Sequence, residues 1–470
     1  MVFRALPRLA GLRDYSGRPA LLRTTCALTA ILFVAASCPR PAAAASESLQ
    51  LGPVQSTTLP NGVQVIVAQA GSADLETVDV WVGAGTRRET ADNNGAAHFI
   101  EHLLFKGTPT RKPGEIDAAI EDLGGSLNAA TSYDWAHFFV TVGASDTPTA
   151  VNIIADALQH AELRQEDMDQ ERGVILNEMA RQYSDPAQQV IQAYNALEFP
   201  NHPYGRPLLG SEDNITNMKR QTVLDFYHAY YVPSNVTVIL SGSLPNDKAV
   251  ELANKAFGAW SSKPLPSDKI LPQTPQTTIV TKSVNAPVGH GYLTIGFHAP
   301  SVKEVPDAYI MDVLLTLLGQ GGNNRLEEDL LRKNKIVEAI SSNYLTQRDP
   351  GTLTISAMYD PINQDRVIDA ILAQITKLQN EPVSDSELAS AKHALLSSYL
   401  FDVQTSSGRA NALGFYNTSD SYHYDTDYMS HFESVTAAQI QAIAKKYLNT
   451  NAYTLVTLTP SQDPVTASIR

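Results

Sequence analysis

Apolar positions recur at two different periods along the chain and therefore predict both strands and helices. Val63–Val67 and Val78–Val82 are short runs rich in β-branched residues, a composition that favours β-strands. A glycine-rich turn follows at Gly83–Gly85. The mainly apolar segment Ala96–Leu104 then predicts a helix.

A similar order of elements returns in the second part of the chain. Gly291–Phe297 has the composition of a strand, and Ala308–Leu318 is an almost continuously apolar segment that predicts a buried helix. Neither part shows the regular alternation of strand and helix that a doubly wound parallel sheet requires. The pattern therefore predicts an α+β fold.

The ends of the two parts also resemble each other. Each has a predicted helix, a short turn and a strand, at Thr222–Tyr230 with Val236–Leu240 and at Thr436–Lys446 with Ala452–Val456. Tyr231 and Tyr447, which follow these predicted helices, lie 216 positions apart. A shared period of this size indicates a duplicated domain.

A proline-rich segment separates the two parts. Residues 263–278 contain four prolines and no apolar period, which is typical of a linker. The predicted domains are therefore 50–262 and 279–465, joined by this linker.

The first 45 residues differ in composition from the rest. Arginines precede the apolar run Cys26–Ala36, and the string Ala42–Ala45 follows it. A basic region, a short apolar region and small residues predict a secretory signal peptide at 1–45, and hence export to the periplasm. Two alternatives stay open: a mitochondrial presequence that directs the chain to the matrix, and a lipid anchor on Cys38.

Removal of this segment changes the charge and the metal chemistry open to the protein. It holds six Arg and one Asp, so the formal net charge moves from -14 to -19. Both cysteines, Cys26 and Cys38, are lost as well, which excludes disulfides and zinc–thiolate sites. The acidic balance argues against nucleic-acid binding. No later apolar stretch is long enough to predict a transmembrane helix.

The most informative motif is His98-Phe-Ile-Glu-His102. On a helix, His98 and His102 share one face about one turn apart, so both imidazoles can bind one metal ion. Glu101 flanks that face and can accept a proton from a water molecule that attacks a peptide carbonyl. This order of residues is the inverzincin pattern of zinc peptidases.

A third ligand is expected from a second helix. The segment Gln165–Gln182 offers Glu171 and Glu178, which are seven residues apart and so lie on one face. One can bind the metal while the other holds a ligand imidazole in place. The residues alone do not decide which is which, and the ligand set suits manganese and cobalt as well as zinc.

Further motifs extend the similarity to a known family over 58–459. They are Leu59–Gly62, Gly83–Arg87, His98–Thr108, Gly124–Thr131, Glu171–Glu178 and Tyr204–Gly210. With them the chain closely resembles the insulinase/pitrilysin family, especially its processing-peptidase branch. The resemblance implies two homologous halves, each a mixed, mainly antiparallel sheet with helices packed against it. It also implies one Zn2+ per chain, with Glu178 as the third ligand and Glu171 as support.

The resemblance further implies that the second half lacks the metal motif. An offset of 216 places Leu314, Leu317 and Leu318 opposite His98, Glu101 and His102. Family members bind the peptide as an added strand at a sheet edge, which here is Ser126–Thr131.

Asn128 and Ala129 of this edge are the implied substrate contacts. The alternative for Asn128 is that it closes a turn.

One departure from the family pattern concerns the partner. Many active members have an Arg followed seven residues later by a Tyr that contacts substrate. Arg332 matches the Arg, but Ala339 stands at the Tyr position and Tyr344 is out of step. We therefore expect a dimer, and we hypothesise a heterodimer with a zinc-less homologous subunit.

The function predicted from these residues is that of a zinc-dependent metalloendopeptidase acting on peptides or short unfolded polypeptides. Two alternatives belong to other classes. One is a non-catalytic assembly or structural subunit of the same fold. The other is a peptide-binding module in which zinc is structural, although such sites normally have four protein ligands. The intact motif with its distal Glu178 favours the enzyme.

Overall fold

The computed structural model describes residues 51–461, except for 72–73, 269, 271–272 and 274–275. The predicted signal peptide at 1–45, including the candidate anchor Cys38, lies outside the described residues. So do the last four residues of the predicted second domain. Within the described part of the chain, none of the helices combines the length and the apolar character needed to cross a membrane.

The first half contains a six-stranded sheet. Its strands are β1 (Val54–Thr58), β2 (Gln64–Gln69), β3 (Leu75–Val82), β4 (Ser126–Thr131), β5 (Ala136–Gly143) and β6 (Val236–Gly242). They lie in the order β1-β2-β6-β3-β5-β4. Only β2 and β6 pair in parallel, and the other neighbours are antiparallel. Strand β4 therefore forms one edge of the sheet.

Eight α-helices of the described residues accompany this sheet. They are α1 (Ala96–Leu103), α2 (Glu115–Asp122), α3 (Thr147–His160), α4 (Gln165–Tyr183), α5 (Pro186–Glu198), α6 (Glu212–Asn217), α7 (Arg220–Tyr230) and α8 (Asn246–Phe257). One hydrophobic core joins one face of the sheet to several of these helices, with Val80 and Phe138 from the strands and Ile100 and Leu158 from α1 and α3. This core fixes α1 against the sheet.

The second half repeats the plan. Its strands are β7 (Val280–Ala286), β8 (Gly291–Ala299), β9 (Ala339–Tyr344), β10 (Gly351–Tyr359) and β11 (Thr454–Pro460). Its α-helices are α9 (Asp307–Gly319), α10 (Gln364–Asn380), α11 (Asp385–Val403), α12 (Ser406–Ser419), α13 (His423–Glu433) and α14 (Ala437–Tyr447). The strand order is β7-β11-β8-β10-β9, with only β7 and β11 in parallel.

The duplication predicted from the sequence is confirmed by the topology. The order β2-β6-β3-β5-β4 of the first sheet corresponds strand by strand to β7-β11-β8-β10-β9 of the second. Helix α9 follows β8 as α1 follows β3, and Leu314, Leu317 and Leu318 of α9 are all buried. The second half is thus packed with leucine where the first carries polar side chains.

Each half also contributes one helix to the sheet of the other. Helix α5 packs on β8 and β11, and α12 packs on β3 and β6. Both contacts need a glycine: a Cβ on Gly414 of α12 would lie 2.1 Å from Trp81 Nε1, and one on Gly296 of β8 would lie 2.0 Å from the Tyr194 hydroxyl of α5. The two halves therefore interlock.

The predicted elements agree with the structure to within a few residues at their ends. Strand β11 is the largest difference, since it begins at Thr454 and not at Ala452 and continues to Pro460. The reason is a turn in which the Ala452 N–H donates to the Asn449 carbonyl. The described residues of the linker, 263–278, include no helix or strand.

Candidate metal centre

The histidine pair lies on α1, whose opposite face is anchored in the core. Phe99, Ile100 and Leu103 of this helix are completely buried. The rings of His98 and His102 are 4.7 Å apart, centroid to centroid. The helix thus places the two imidazoles side by side because their four-residue spacing is about one helical turn.

Helix α1 begins at a cap that the sequence analysis did not identify. The chain enters through Gly95 in the left-handed region, at φ 108°. The Glu89 carboxylate accepts hydrogen bonds from the Gly95 N–H at 3.0 Å, the Ala97 N–H at 2.8 Å and the Asn94 side chain at 2.8 Å. It thereby satisfies helix N–H groups and places a negative charge at the positive end of the helix.

The Tyr204–Gly210 motif supports this cap. The Arg206 guanidinium donates to the Glu89 carbonyl. Gly210 touches the start of α1 so closely that a Cβ there would lie 2.8 Å from Gly95 Cα. Burial raises the pKa of Glu89 to about 7, although its three hydrogen bonds and Arg206 act in the opposite direction. The Tyr204–Gly210 motif of the family resemblance thus helps to hold α1.

The third ligand candidate comes from α4, which packs against α1. The Oε2 atom of Glu178 lies 3.7 Å from His98 Nε2 and 3.6 Å from His102 Nε2. Tetrahedral ligands at zinc bond lengths are roughly 3.4 Å from one another. The three side chains therefore fit a zinc ion with a small closing movement. Among the described residues they form a group whose ligand atoms all lie within 4.8 Å of one another.

Glu171, also on α4, lies on the other side of the His102 ring from Glu178. Its Oε2 is 2.9 Å from His102 Nδ1, and its Oε1 is 2.8 Å from Lys106 Nζ. A hydrogen on Nδ1 that is donated to Glu171 leaves the Nε2 lone pair of His102 directed towards Glu178. This geometry supports the assignment that the resemblance implies, with Glu178 as the candidate ligand and Glu171 behind His102.

The electrostatics of two of the three side chains, His98 and Glu178, suit a cation. Burial, followed by repulsion from His102, lowers the pKa of His98 to about 4. The hydrogen bond with His102 lowers the pKa of Glu178. A neutral imidazole and an ionised carboxylate are the forms that bind metals.

Glu101 stands beside this group and is not one of the three candidate ligands. It is partly buried, and burial raises its pKa. His102 and Glu178 are close enough to influence that pKa, in opposite directions. A carboxylate with a raised pKa next to a metal site has the properties of a general base.

The two proposed substrate contacts lie on the edge strand β4. Asn128 pairs with Phe139 of β5, so it lies inside a strand. The alternative that Asn128 closes a turn is therefore wrong. Its side-chain oxygen accepts a hydrogen bond of 2.8 Å from the Ala129 N–H. The outer side of β4 pairs with no other strand of the described chain.

The Arg and Tyr candidates of the second half lie apart from one another. Arg332 is in a π-helical segment, Glu327–Lys333. Its half-exposed guanidinium bonds to the Gly322 carbonyl at 2.7 Å. Tyr344 is buried, and its hydroxyl donates to the Pro300 carbonyl at 2.8 Å, so it is not available as the missing Tyr. Ala339 is the exposed first residue of the edge strand β9.

Comparison with known proteins identifies the family. Two family models match consecutive parts of the chain: insulinase (peptidase family M16) at residues 64–212, and the peptidase M16 inactive domain at residues 217–395. The chain belongs to the insulinase family. The first match contains the histidine motif and both glutamates of α4, and the second contains the leucine-packed helix α9.

Relatives of this insulinase-family chain are similar over most of their length. A probable mitochondrial-processing peptidase subunit beta of Arabidopsis thaliana is 28% identical over 443 residues, which are 92% of this chain and 83% of the relative. An uncharacterised zinc protease of Mycobacterium tuberculosis is 29% identical over 400 residues, 84% of this chain and 90% of the relative.

A solved structure agrees with the fold. The crystal structure of a protease from Helicobacter pylori superimposes with a TM-score of 0.83 at 26% identity, and the match covers 87% of this chain and 100% of that one. The names of these relatives support a metallopeptidase at the level of class, and zinc as the metal of the family.

Proposed function

We propose that this protein is a zinc-dependent metalloendopeptidase that hydrolyses peptides or short unfolded polypeptides. The observation that carries the proposal is the convergence of His98, His102 and Glu178 with Glu101 beside them. Three protein ligands leave an open position, which distinguishes catalytic zinc from structural zinc. The non-catalytic assembly subunit remains the competing function, and it gives no reason for a general base at this place.

The chemistry divides between the metal and the surrounding side chains. When bound, zinc supplies a Lewis acid that polarises the peptide carbonyl and lowers the pKa of water. Glu101 accepts the proton of the attacking water and passes it to the departing amine. Glu171 keeps the His102 ring in one orientation and one tautomer.

The substrate is proposed to bind as an additional strand along β4. Its main chain pairs with the free edge at Asn128 and Ala129. Because main-chain hydrogen bonds do not depend on sequence, this mode accepts varied peptides but requires an extended one. Folded domains do not present such a strand, so the natural substrates are unfolded or short.

Two features of the assembly are proposed with the function. The chain is exported to the periplasm, as its first 45 residues indicate. It acts as a dimer with a zinc-less homologous subunit. That subunit supplies the Arg and Tyr contacts with the substrate, because this chain has Arg332 at the Arg position but Ala339 at the Tyr position. Co-purification from the native cell tests this, and a chain that cleaves peptides at full rate alone would refute the heterodimer.

Metal replacement tests the function itself. The protein as purified is analysed for metal, stripped with a chelator and reloaded with zinc. We expect about one zinc per chain, loss of hydrolysis of an unstructured peptide on stripping, and recovery on reloading. A protein that holds zinc but cleaves no peptide, alone or with a co-expressed partner, would instead be a non-catalytic subunit.

A further inference from the structure

A cavity of about 360 Å3 lies on the face of the first sheet opposite to α1. Its floor consists of Asp79 from β3, His137 and Phe139 from β5, and Asn128 and Ala130 from β4. These residues alternate along the strands with Val80, Phe138 and Val140 of the core beneath α1, which therefore lie on the other face.

The roof of the cavity comes from the second half. Tyr399, Asp402 and Val403 at the end of α11 line it, together with Ser407 and Ala412 of α12. This is the same helix α12 that packs on β3 and β6. The interlocking of the halves thus creates a space between a sheet of one half and three helices of the other, since Tyr428 of α13 also lines it.

Several polar groups in the cavity wall already have partners. Asp79 and His137 are joined by a contact of 3.0 Å. The hydroxyls of Tyr399 and Tyr428 donate to buried aspartates behind the wall, at 3.0 and 2.9 Å. The wall therefore consists mainly of aromatic ring faces and aliphatic carbon. Asp402, which also lines the cavity, is exposed.

The cavity extends along the sheet to the edge where the peptide is proposed to bind. Asp79, Phe139 and Asn128 are direct neighbours across three strands, and His137 and Ala130 form the next such row. A peptide strand beside β4 would continue these rows about 4.8 Å further out. Every second side chain of that strand would point to the cavity face, and the small Ala130 leaves the way open.

We propose that this cavity is a specificity subsite that accepts one large aromatic side chain of the bound peptide. The inference rests on the proposed function, because it requires a peptide along β4. Hydrolysis at the metal centre would then require an aromatic residue of the substrate at a fixed number of positions from the scissile bond. Burial of a phenylalanine side chain is worth roughly a tenfold or greater gain in affinity over alanine.

Peptide binding to the full-length, zinc-loaded Glu101→Gln variant tests the subsite without turnover. The probes are fluorescent unstructured peptides that carry Phe, Ala or Arg at each position in turn. Ala412→Leu and Ser407→Phe, each added to Glu101→Gln, fill the cavity, and the exposed Ala438→Leu on α14 is the matched control. Each result is the ratio of the affinities of one protein for two peptides. A general loss of folding would weaken the binding of both peptides and would not produce a change in this ratio.

The expected result is a tenfold or greater preference for Phe over Ala at one position. That ratio should fall towards one in both cavity-filling variants and stay unchanged in the control. A preference that survives filling, or one for Arg over Phe at that position, would overturn the proposal. If the aromatic preference exists but the wild-type protein cleaves none of these peptides, the proposed peptidase function is refuted and the proposed subsite is supported. If all the peptides are bound and cleaved equally well, the proposed subsite is refuted and the proposed peptidase function is supported.

Discussion

At the scale of single residues, the two histidines are not supported equally. His102 has Glu171 at Nδ1 and Glu178 near Nε2. The Nδ1 atom of His98 is buried and has no hydrogen-bond partner among the described residues. The orientation of His102 therefore depends on Glu171, whereas no described residue supports His98 through its Nδ1 atom.

Removal of Glu171 should weaken metal binding. Carboxylates that orient ligand histidines typically contribute about 10- to 100-fold in metal affinity. We expect Glu171→Ala to lower zinc affinity by this factor in a competition titration with a chelator. Glu166→Ala, an exposed position on the same helix, is the control and should bind zinc as the wild type does. Equal affinities of the two variants would show that Glu171 does not position His102.

At the scale of elements, α1 depends on a side chain that precedes it. Glu89 bonds to two main-chain N–H groups of its first turn and is itself buried. These donors would lose their partner if the carboxylate were removed, and buried unsatisfied groups cost about 1–3 kcal/mol. Since α1 carries His98, Glu101 and His102, its first turn also sets the geometry of the site.

Glu89→Ala should therefore reduce both stability and zinc binding. We expect the free energy of unfolding in urea to fall by about 1–3 kcal/mol. The exposed Glu121→Ala on α2 is the control and should change it by less than about 0.5 kcal/mol. If both variants unfold at the same urea concentration, the cap contributes nothing to α1.

At the scale of the whole molecule, Arg87 joins both halves and the predicted linker. Its guanidinium lies 2.5 Å from Asp349 of the second half, 2.5 Å from Asp268 of the linker and 3.6 Å from Asp134. Arg87 and Asp134 are almost completely buried. Arg87, beside His202, also holds the pKa of Asp349 below its usual range, against the effect of burial.

Loss of this arginine should be costly because the buried Asp134 would have no cation. We expect Arg87→Met to lower the free energy of unfolding by about 3–5 kcal/mol. Lys248→Met, which removes an exposed ion pair with Glu251, should leave it unchanged. Urea unfolding measures both, and a similar small effect of the two variants would contradict a role for Arg87 as the link between the halves.

Buried carboxyls also make the stability depend on pH. Burial raises the pKa of Asp312 to about 7, against its hydrogen bond from Tyr428. Between about pH 4 and 7 the folded protein therefore binds more protons at this group than the unfolded chain does, and stability falls as the pH rises.

The Asp312→Asn variant isolates this effect. Relative to the variant, the wild type should lose stability as the pH rises from about 5 to 7, and the difference should level off above that range. Urea unfolding at several pH values measures it. A difference that is constant over this window would show that the pKa of Asp312 is not raised.

The sequence predicted the elements whose pattern is local. Ala96–Leu103 and Gln165–Tyr183 form helices as expected because their apolar spacing and the spacing of their polar side chains act within a few turns. The duplication of the domain was predicted from the similar helix, turn and strand at the end of each part of the chain. The positions of Glu171 and Glu178 relative to the histidines did not follow from local pattern, since they depend on how α4 packs on α1.

Contacts between distant parts of the chain were not predictable in this way. Arg87 and Asp349 are separated by 262 residues, and nothing near either one indicates the other. Glu89 could have been suspected as a cap, because Asn94 and Gly95 follow it just before the helix. The place of Asn128 in a strand was settled by its pairing with Phe139, which the residues around it do not specify.

The proposed function depends above all on Glu101 as the base of a zinc peptidase. Its most direct test is the zinc content and the rate of peptide hydrolysis of Glu101→Gln, compared with the wild type. We expect unchanged zinc, because His98, His102 and Glu178 remain, and a loss of about 10²- to 10⁴-fold in kcat. Full hydrolysis by a zinc-loaded Glu101→Gln protein would contradict it.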